Sequence, residues 1–121
     1  MIKDIIDTLK TNAELTALIK AKNIVAFSND LAKGDSITYA FKPLSNNGII
    51  DKQRLELTII TKKIQNNVDC EEIIKRLIIT VGDKQFNNKI IEVKLNGGGM
   101  LENIETGTYH TFLYFDTTQR I

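Results

Sequence analysis

The stretch QRLELTIITKK, Gln53 to Lys63, decides how the rest of the chain is read. Leu55, Leu57 and Ile59 alternate with Arg54, Glu56 and Thr58, the two-residue period of a strand buried on one face and wetted on the other. Downstream, Asp69-Cys70-Glu71-Glu72 reads as a helix start: Asp69 is a good N-cap, Glu72 stands three residues on, and acids suit the positive end of the helix dipole. Ile73, Ile74, Leu77, Ile78 and Val81 then form a buried stripe, and Gly82 is a natural residue just past the end. The spacing predicts a long helix over about 69–81. Asp83 to Asn88 reads as a loop, Ile91, Val93 and Leu95 alternate as a strand, and Tyr109 to Thr117 is a last strand with Tyr109, Leu113 and Phe115 on one face.

Upstream, Ser45 to Lys52 (SNNGIIDK) is a loop with Asn-Asn-Gly at its heart. Its adjacent Ile49 and Ile50 either tuck under the loop or form an exposed contact for another protein. Ile37 to Phe41 alternates as a strand, and Pro43 either ends it or puts it at a sheet edge. Ser28 to Ser36 is turn chemistry, and Asn23 to Phe27 a short apolar strand. The first twenty residues read as two short helices. Ile2, Ile5, Ile6 and Leu9 share a face, and Thr11-Asn12-Ala13-Glu14 matches a capping box ahead of Leu15, Leu18 and Ile19. Strands joined by short loops favour antiparallel pairing. The expected fold is one α+β domain over residues 1–121. Its sheet is mostly antiparallel, of about four to five strands, with the N-terminal helices and the long helix packed on one face.

Composition narrows the function by exclusion. Sixteen Lys/Arg against fifteen Asp/Glu leave a net charge of +1, with signs interleaved and no basic stripe of the kind that binds nucleic acid by counterion release. No apolar run approaches the ~18 residues of a spanning helix, so no membrane partner is expected. Asp4 and Asp7 in MIKDIIDTLK argue against a signal peptide. The single cysteine, Cys70, allows no internal disulfide, which fits a cytosol-like compartment.

The segment KLNGGGMLENIETGTYHTFLYF, Lys94 to Phe115, raises the question of a phosphate cradle. Gly97-Gly98-Gly99 is followed by Met100-Leu101-Glu102, without the Gly-Lys-Ser/Thr or the G-x-G-x-x-G spacing such sites use. The structural reading is that the glycines let the chain leave a strand through positive φ or a bulge, or mark a close approach of another backbone. Glu105-Thr106-Gly107 then turns a hairpin arm back into the last strand. Cys70 and His110 are the only thiol and the only imidazole. Cys70 falls on the buried face of its helix, where a cysteine is usually a small hydrophobe, and nothing aligns it with His110 as a nucleophilic pair. The two do not furnish a zinc site without carboxylates, and none stands at ligand spacing. Lys62, Lys63, Lys75 and Arg76 either form a small basic patch or, beside Asp69, Glu71 and Glu72, a solvated face, and the neighbouring acids favour the latter. Neither a catalytic site nor a cofactor or metal site is expected; binding or assembly is.

The order of RLELTIITK, the capped DCEEIIKRLIITVGDK, IIEVKLNGGG and LENIETGTYHTFLYFDTT resembles the tail terminator, or tail completion (head–tail joining), proteins of long-tailed bacteriophages. Its most specific part is Leu95-Asn96-Gly97-Gly98-Gly99 followed by Glu105-Thr106-Gly107-Thr108-Tyr109-His110; Met1 to Lys52 is generic. The resemblance implies a structural virion protein of a phage tail or tail-like bacteriocin particle, assembled in the bacterial host cytoplasm. It implies a homo-oligomeric ring, a hexamer, that caps the major tail tube protein, docks the head-completion or connector protein, and lets DNA pass through. Partner contacts are then expected on the loops: Ile49 and Ile50 in one, and Gly97, Gly98, Gly99, Met100 and Leu101 in the other. The alternative is a small cytosolic ligand-binding or regulatory α+β module.

Overall fold

Five strands make the sheet: β1 (Ile24–Ala26), β2 (Ser36–Asn46), β3 (Ile50–Thr61), β4 (Ile90–Asn103) and β5 (Thr108–Arg120). Their spatial order is β1-β2-β3-β5-β4, with β1 parallel to β2 and every other pairing antiparallel. The computed structural model describes the backbone of residues 2–26, 34–80 and 90–120, and their side chains except those of 2–4, 79–80, 90–92 and 120. Phe27, most of the Ser28–Ser36 turn, Val81, Gly82 and the loop Asp83 to Asn88 lie outside the described residues, as do the side chains of Ile2, Asp4 and Ile91.

The alternation in β3 sets the faces. Leu55, Leu57 and Ile59 are fully buried. They stand opposite Phe41, Tyr39 and Ile37 of β2, and opposite Phe115, Leu113 and Thr111 of β5. One parity of three adjacent strands thus forms one apolar surface, and each fully buried aliphatic contributes about 1.5–3 kcal/mol. The helices α1 (Ile2–Thr11), α2 (Ala13–Leu18) and α3 (Ile64–Lys75) complete that core through Ile5, Leu9, Leu15, Cys70 and Ile74. The opposite parity carries Arg54, Glu56 and Thr58 on β3 and His110, Phe112, Tyr114 and Asp116 on β5.

Several boundaries differ from those the sequence suggests. Helix α3 starts at Ile64, not Asp69, and continues through a π-helical segment, Arg76–Thr80, that buries Ile78. Thr61 Oγ1 donates to the Lys63 carbonyl (2.8 Å), and Asn67 N–H to the same carbonyl (3.3 Å), so the chain reverses into the helix directly after β3. Asp69 is therefore in the helix body, where it accepts from Gln65 Nε2 at 2.8 Å. The polar start IQNNVD hides the helix because its key inward residue is Asn67. Its Nδ2 donates to the carbonyls of Ile59 (3.1 Å) and Tyr109 (2.9 Å), and its Oδ1 accepts from Thr111 Oγ1. A buried amide with these partners ties α3 to both β3 and β5.

At the N-terminus the cap of α2 is Asn12, whose Oδ1 accepts from Leu15 N–H (2.9 Å). Thr11 bonds back to the Asp7 carbonyl at 2.8 Å and closes α1 instead of capping α2. Strand β2 runs on to Asn46, past Pro43, with a register shift between Pro43 and Ser45. β1 pairs only with Ile37 to Tyr39, so Pro43 sits where β2 has no outer neighbour among the described residues. A residue without an N–H is tolerated there.

Candidate functional site

Two hairpin ends gather the residues that sequence singles out for contacts. The predicted Ser45–Lys52 loop contracts to the tight turn between Asn46 and Ile50. Asn46 Oδ1 accepts from Gly48 N–H (2.8 Å), and Asn47 Oδ1 from the N–H groups of Ile49 (3.0 Å) and Ile50 (2.7 Å). Gly48 supplies the positive φ of +86° that closes the turn. The two isoleucines then part company. Ile49 is 72% exposed at the tip, whereas Ile50 is the first residue of β3, half-buried and paired with Arg120.

The glycine run is not where a strand ends: it lies inside β4. Leu95 pairs with Phe115 and Gly98 with Leu113, so two residues of β4, Asn96 and Gly97, stand opposite Tyr114 alone. This is a β-bulge. The three glycines have different standing. A Cβ on Gly98 would lie 2.2 Å from the Phe112 carbonyl oxygen, and its φ is +148°. Gly97 has φ +99° and packs on the Tyr114 ring, while Gly99 faces open space. The bulge and the close backbone approach are both present, and they coincide at Gly98.

On the helix-free face the bulge is pinned across three strands. Asn96 Nδ2 donates to Asp116 Oδ2 (2.6 Å), and Arg54 Nε donates to Asp116 Oδ1 (2.9 Å). The hydrogen bond from Arg54 holds the Asp116 carboxyl below the usual carboxylate range against its partial burial, and Asn96 adds to the effect. Beyond the bulge, Met100 and Leu101 are both exposed on β4, the outermost strand of the sheet, facing opposite sides as partners of Thr111 and His110. The strand ends in a turn in which Asn103 Oδ1 accepts from the N–H groups of Glu105 (3.1 Å) and Thr106 (3.3 Å), and Gly107 has φ +66°. Ile104, at its tip, is 87% exposed. Sequence reasoning passed over it; an isoleucine between turn-forming Asn103 and Glu105 was the available signal.

The two tips lie at opposite ends of the sheet. Ile50 pairs with Arg120 at one end of the β3–β5 ladder and Thr61 with Tyr109 at the other. At about 3.4 Å per residue the tips stand roughly 35–40 Å apart.

Cys70 and His110 do not come together. Cys70 is buried in the helix face toward the sheet, and desolvation pushes its thiol up to about 12. His110 lies on the other face of the sheet, hydrogen-bonded to Thr108 (2.9 Å), with burial lowering its pKa. The sheet separates the pair. Lys75 pairs with Glu71 (2.8 Å) and Arg76 with Glu14 (2.6 Å), which breaks up the basic cluster with Lys62 and Lys63. Among the described residues, no three His, Cys, Asp or Glu side chains come together as metal ligands, and no helix is long and apolar enough to cross a membrane.

The helices and the sheet define a two-layer α+β fold that presents single apolar side chains at both ends of its sheet. That fold is similar to a chain of the virion of a native gene transfer agent particle, with a TM-score of 0.75 over 97% of this chain and 92% of that one, at 10% sequence identity. No family model matches the sequence, and no curated protein does.

Proposed function

We propose that the chain is a structural subunit of a phage-like particle, a tail terminator or completion protein whose ring caps the tail tube and offers a docking surface to the head. The observation that carries this reading is the pair of apolar tips, Ile49 and Ile104, at opposite ends of one rigid ladder. A terminator has two axial partners, and such a subunit offers one contact to each. The fold likeness to a virion chain, along nearly the full length of both, supports the same placement. So does the near-neutral charge of +1, since an annulus that passes DNA gains nothing from a surface that holds it. In this reading its partners are further copies of itself, the tube protein and the head-completion protein, and its work is assembly, not catalysis.

Negative-stain microscopy of particles made without the gene tests the proposal. Tubes of uncontrolled length, or tails never joined to heads, are expected. Tails of normal length bearing heads would sink it.

A further inference from the structure

A closed ring needs two different, complementary patches on each subunit, because a head-to-tail contact brings one surface against another. The flanks of α3 differ in this way. Lys62, Lys63, Ile64 and Val68 form one of them. Ile64 (49% exposed) and Val68 (41% exposed) are one helical turn apart, so their side chains form a single short ridge beside the two lysines. Neither lysine is in an ion pair among the described residues. On the other flank, α2 and α3 enclose an open groove of about 380 Å³. Ala17, Leu18 and Ile73 supply its apolar lining, and Glu14, Asp69 and Glu72 its carboxylates. Arg76 already satisfies Glu14, which leaves Asp69 and Glu72 without a cationic partner among the described residues. At 100° per residue the two sets diverge by roughly 100° around the helix axis, with Gln65 on the groove side and Glu72, one turn beyond Val68, at the border between them.

We propose that neighbouring copies of this chain dock head to tail, the Ile64–Val68 ridge of one entering the α2–α3 groove of the next, with Lys62 and Lys63 set against Asp69 and Glu72. The proposal rests on the ring reading above and names the lateral contact that reading requires. The chain itself carries both complementary halves, which is the reason to assign the groove to a second copy. Two-fold docking of like flanks would set lysine against lysine and carboxylate against carboxylate, and a two-fold pair with each ridge in the other's groove would link the double-cysteine chain into dimers only, which separates it from the head-to-tail contact. A net charge of +1 leaves little overall repulsion between copies to overcome. The contact leaves the Ile49 tip free at the far end of the sheet, whereas Lys62 stands beside the Ile104 turn, with Thr106 and Thr108.

Disulfide trapping of the full chain tests the contact. Cys70 is buried and its thiol is held at about 12, so it does not compete with introduced thiols. The double variant A17C/V68C, oxidised and run on a non-reducing gel, is expected to give a ladder of linked oligomers. Each single variant alone is expected to stay monomeric, and the two singles mixed to stop at dimers. Adding K62E/K63E to the double variant should remove the ladder, and adding D69K/E72K as well should restore it, which also shows that the reversed chains fold. A ladder insensitive to these reversals, no ladder at all, or dimers from V68C alone would each overturn the proposal. Deranged tails in the gene deletion together with no ladder would keep the terminator reading and reject this contact. Normal tails together with a ladder would do the reverse.

Discussion

The β2–β3 and β4–β5 hairpins solve the same problem in different ways. Each ends in a turn held by an asparagine side chain, Asn47 or Asn103, and closed by a glycine at positive φ, Gly48 or Gly107. Each lifts one isoleucine clear of the sheet. Their bodies differ. In β2–β3 the register shift falls between Pro43 and Ser45, on a stretch that has no outer neighbour among the described residues. Of the two register shifts in β4–β5, one is the Asn96–Gly97 bulge, held against the backbone of β5 at the adjoining Gly98 and clamped through Asn96 and Asp116 to Arg54. A glycine is thus required either by the shape of the chain, as at Gly48, or by the proximity of a neighbour, as at Gly98, and the two requirements carry different energies.

The sharpest way to break that comparison is Gly98→Ala. A Cβ pressed against the Phe112 carbonyl adds overpacking to backbone strain, and a loss of about 4 kcal/mol is expected from the urea midpoint. Gly99→Ala, at the next residue and in open space, should stay within about 0.5 kcal/mol. Equal losses at the two positions would remove the case for the bulge. Next in size is Asn67→Ala, which unfastens α3 from one carbonyl of each hairpin and from Thr111. Three lost hydrogen bonds, two of them leaving carbonyls short of a donor, point to about 3 kcal/mol in thermal or urea unfolding. A loss below ~1 kcal/mol would mean the hairpins are joined by the ladder alone.

Gly48→Ala tests the turn without any clash, since nothing lies within 4 Å of the added Cβ. Only the left-handed backbone resists it, and about 1 kcal/mol is expected. The Asp116 clamp should contribute less still. Its carboxyl is held below its usual pKa by Arg54, so its contribution is complete above the ordinary carboxylate range and fades as the pH falls through the depressed folded value. With the side chain about a quarter exposed, solvent screening keeps this well under ~1 kcal/mol. Asp116→Asn should flatten the acid limb of a stability–pH profile, and an unchanged limb would assign that sensitivity elsewhere. At the bottom of the scale, Ile49→Ser and Ile104→Ser should alter stability by less than about 0.5 kcal/mol, because both side chains are largely exposed.

What the sequence made legible follows the same division. The alternation of Leu55, Leu57 and Ile59 marks β3 because burial there is complete and the intervening residues are polar. The inward faces of β5 and of the second half of α3 are legible for the same reason. The start of α3 was hidden because its inward residue, Asn67, is polar, and only carbonyls from two distant strands make its burial tolerable. The glycine run suggests a strand end because glycines let a chain leave its strand through positive φ or a bulge. That β4 continues through it depends on Phe112, which is distant along the chain and adjacent only after β4 and β5 pair. Among the candidate contacts, Ile49 stands at a tip as expected, Ile50 is absorbed into β3, and Met100 and Leu101 lie along β4 and not in a loop.

The assembly claim is tested most directly by complementing a gene deletion with Ile49→Asp or Ile104→Asp, proteins that should fold normally, and scoring tail length and head attachment by electron microscopy. The account predicts that each substitution uncouples one end: one variant gives tubes without length control, the other gives finished tails without heads. Particles of normal length bearing heads from both variants would contradict it.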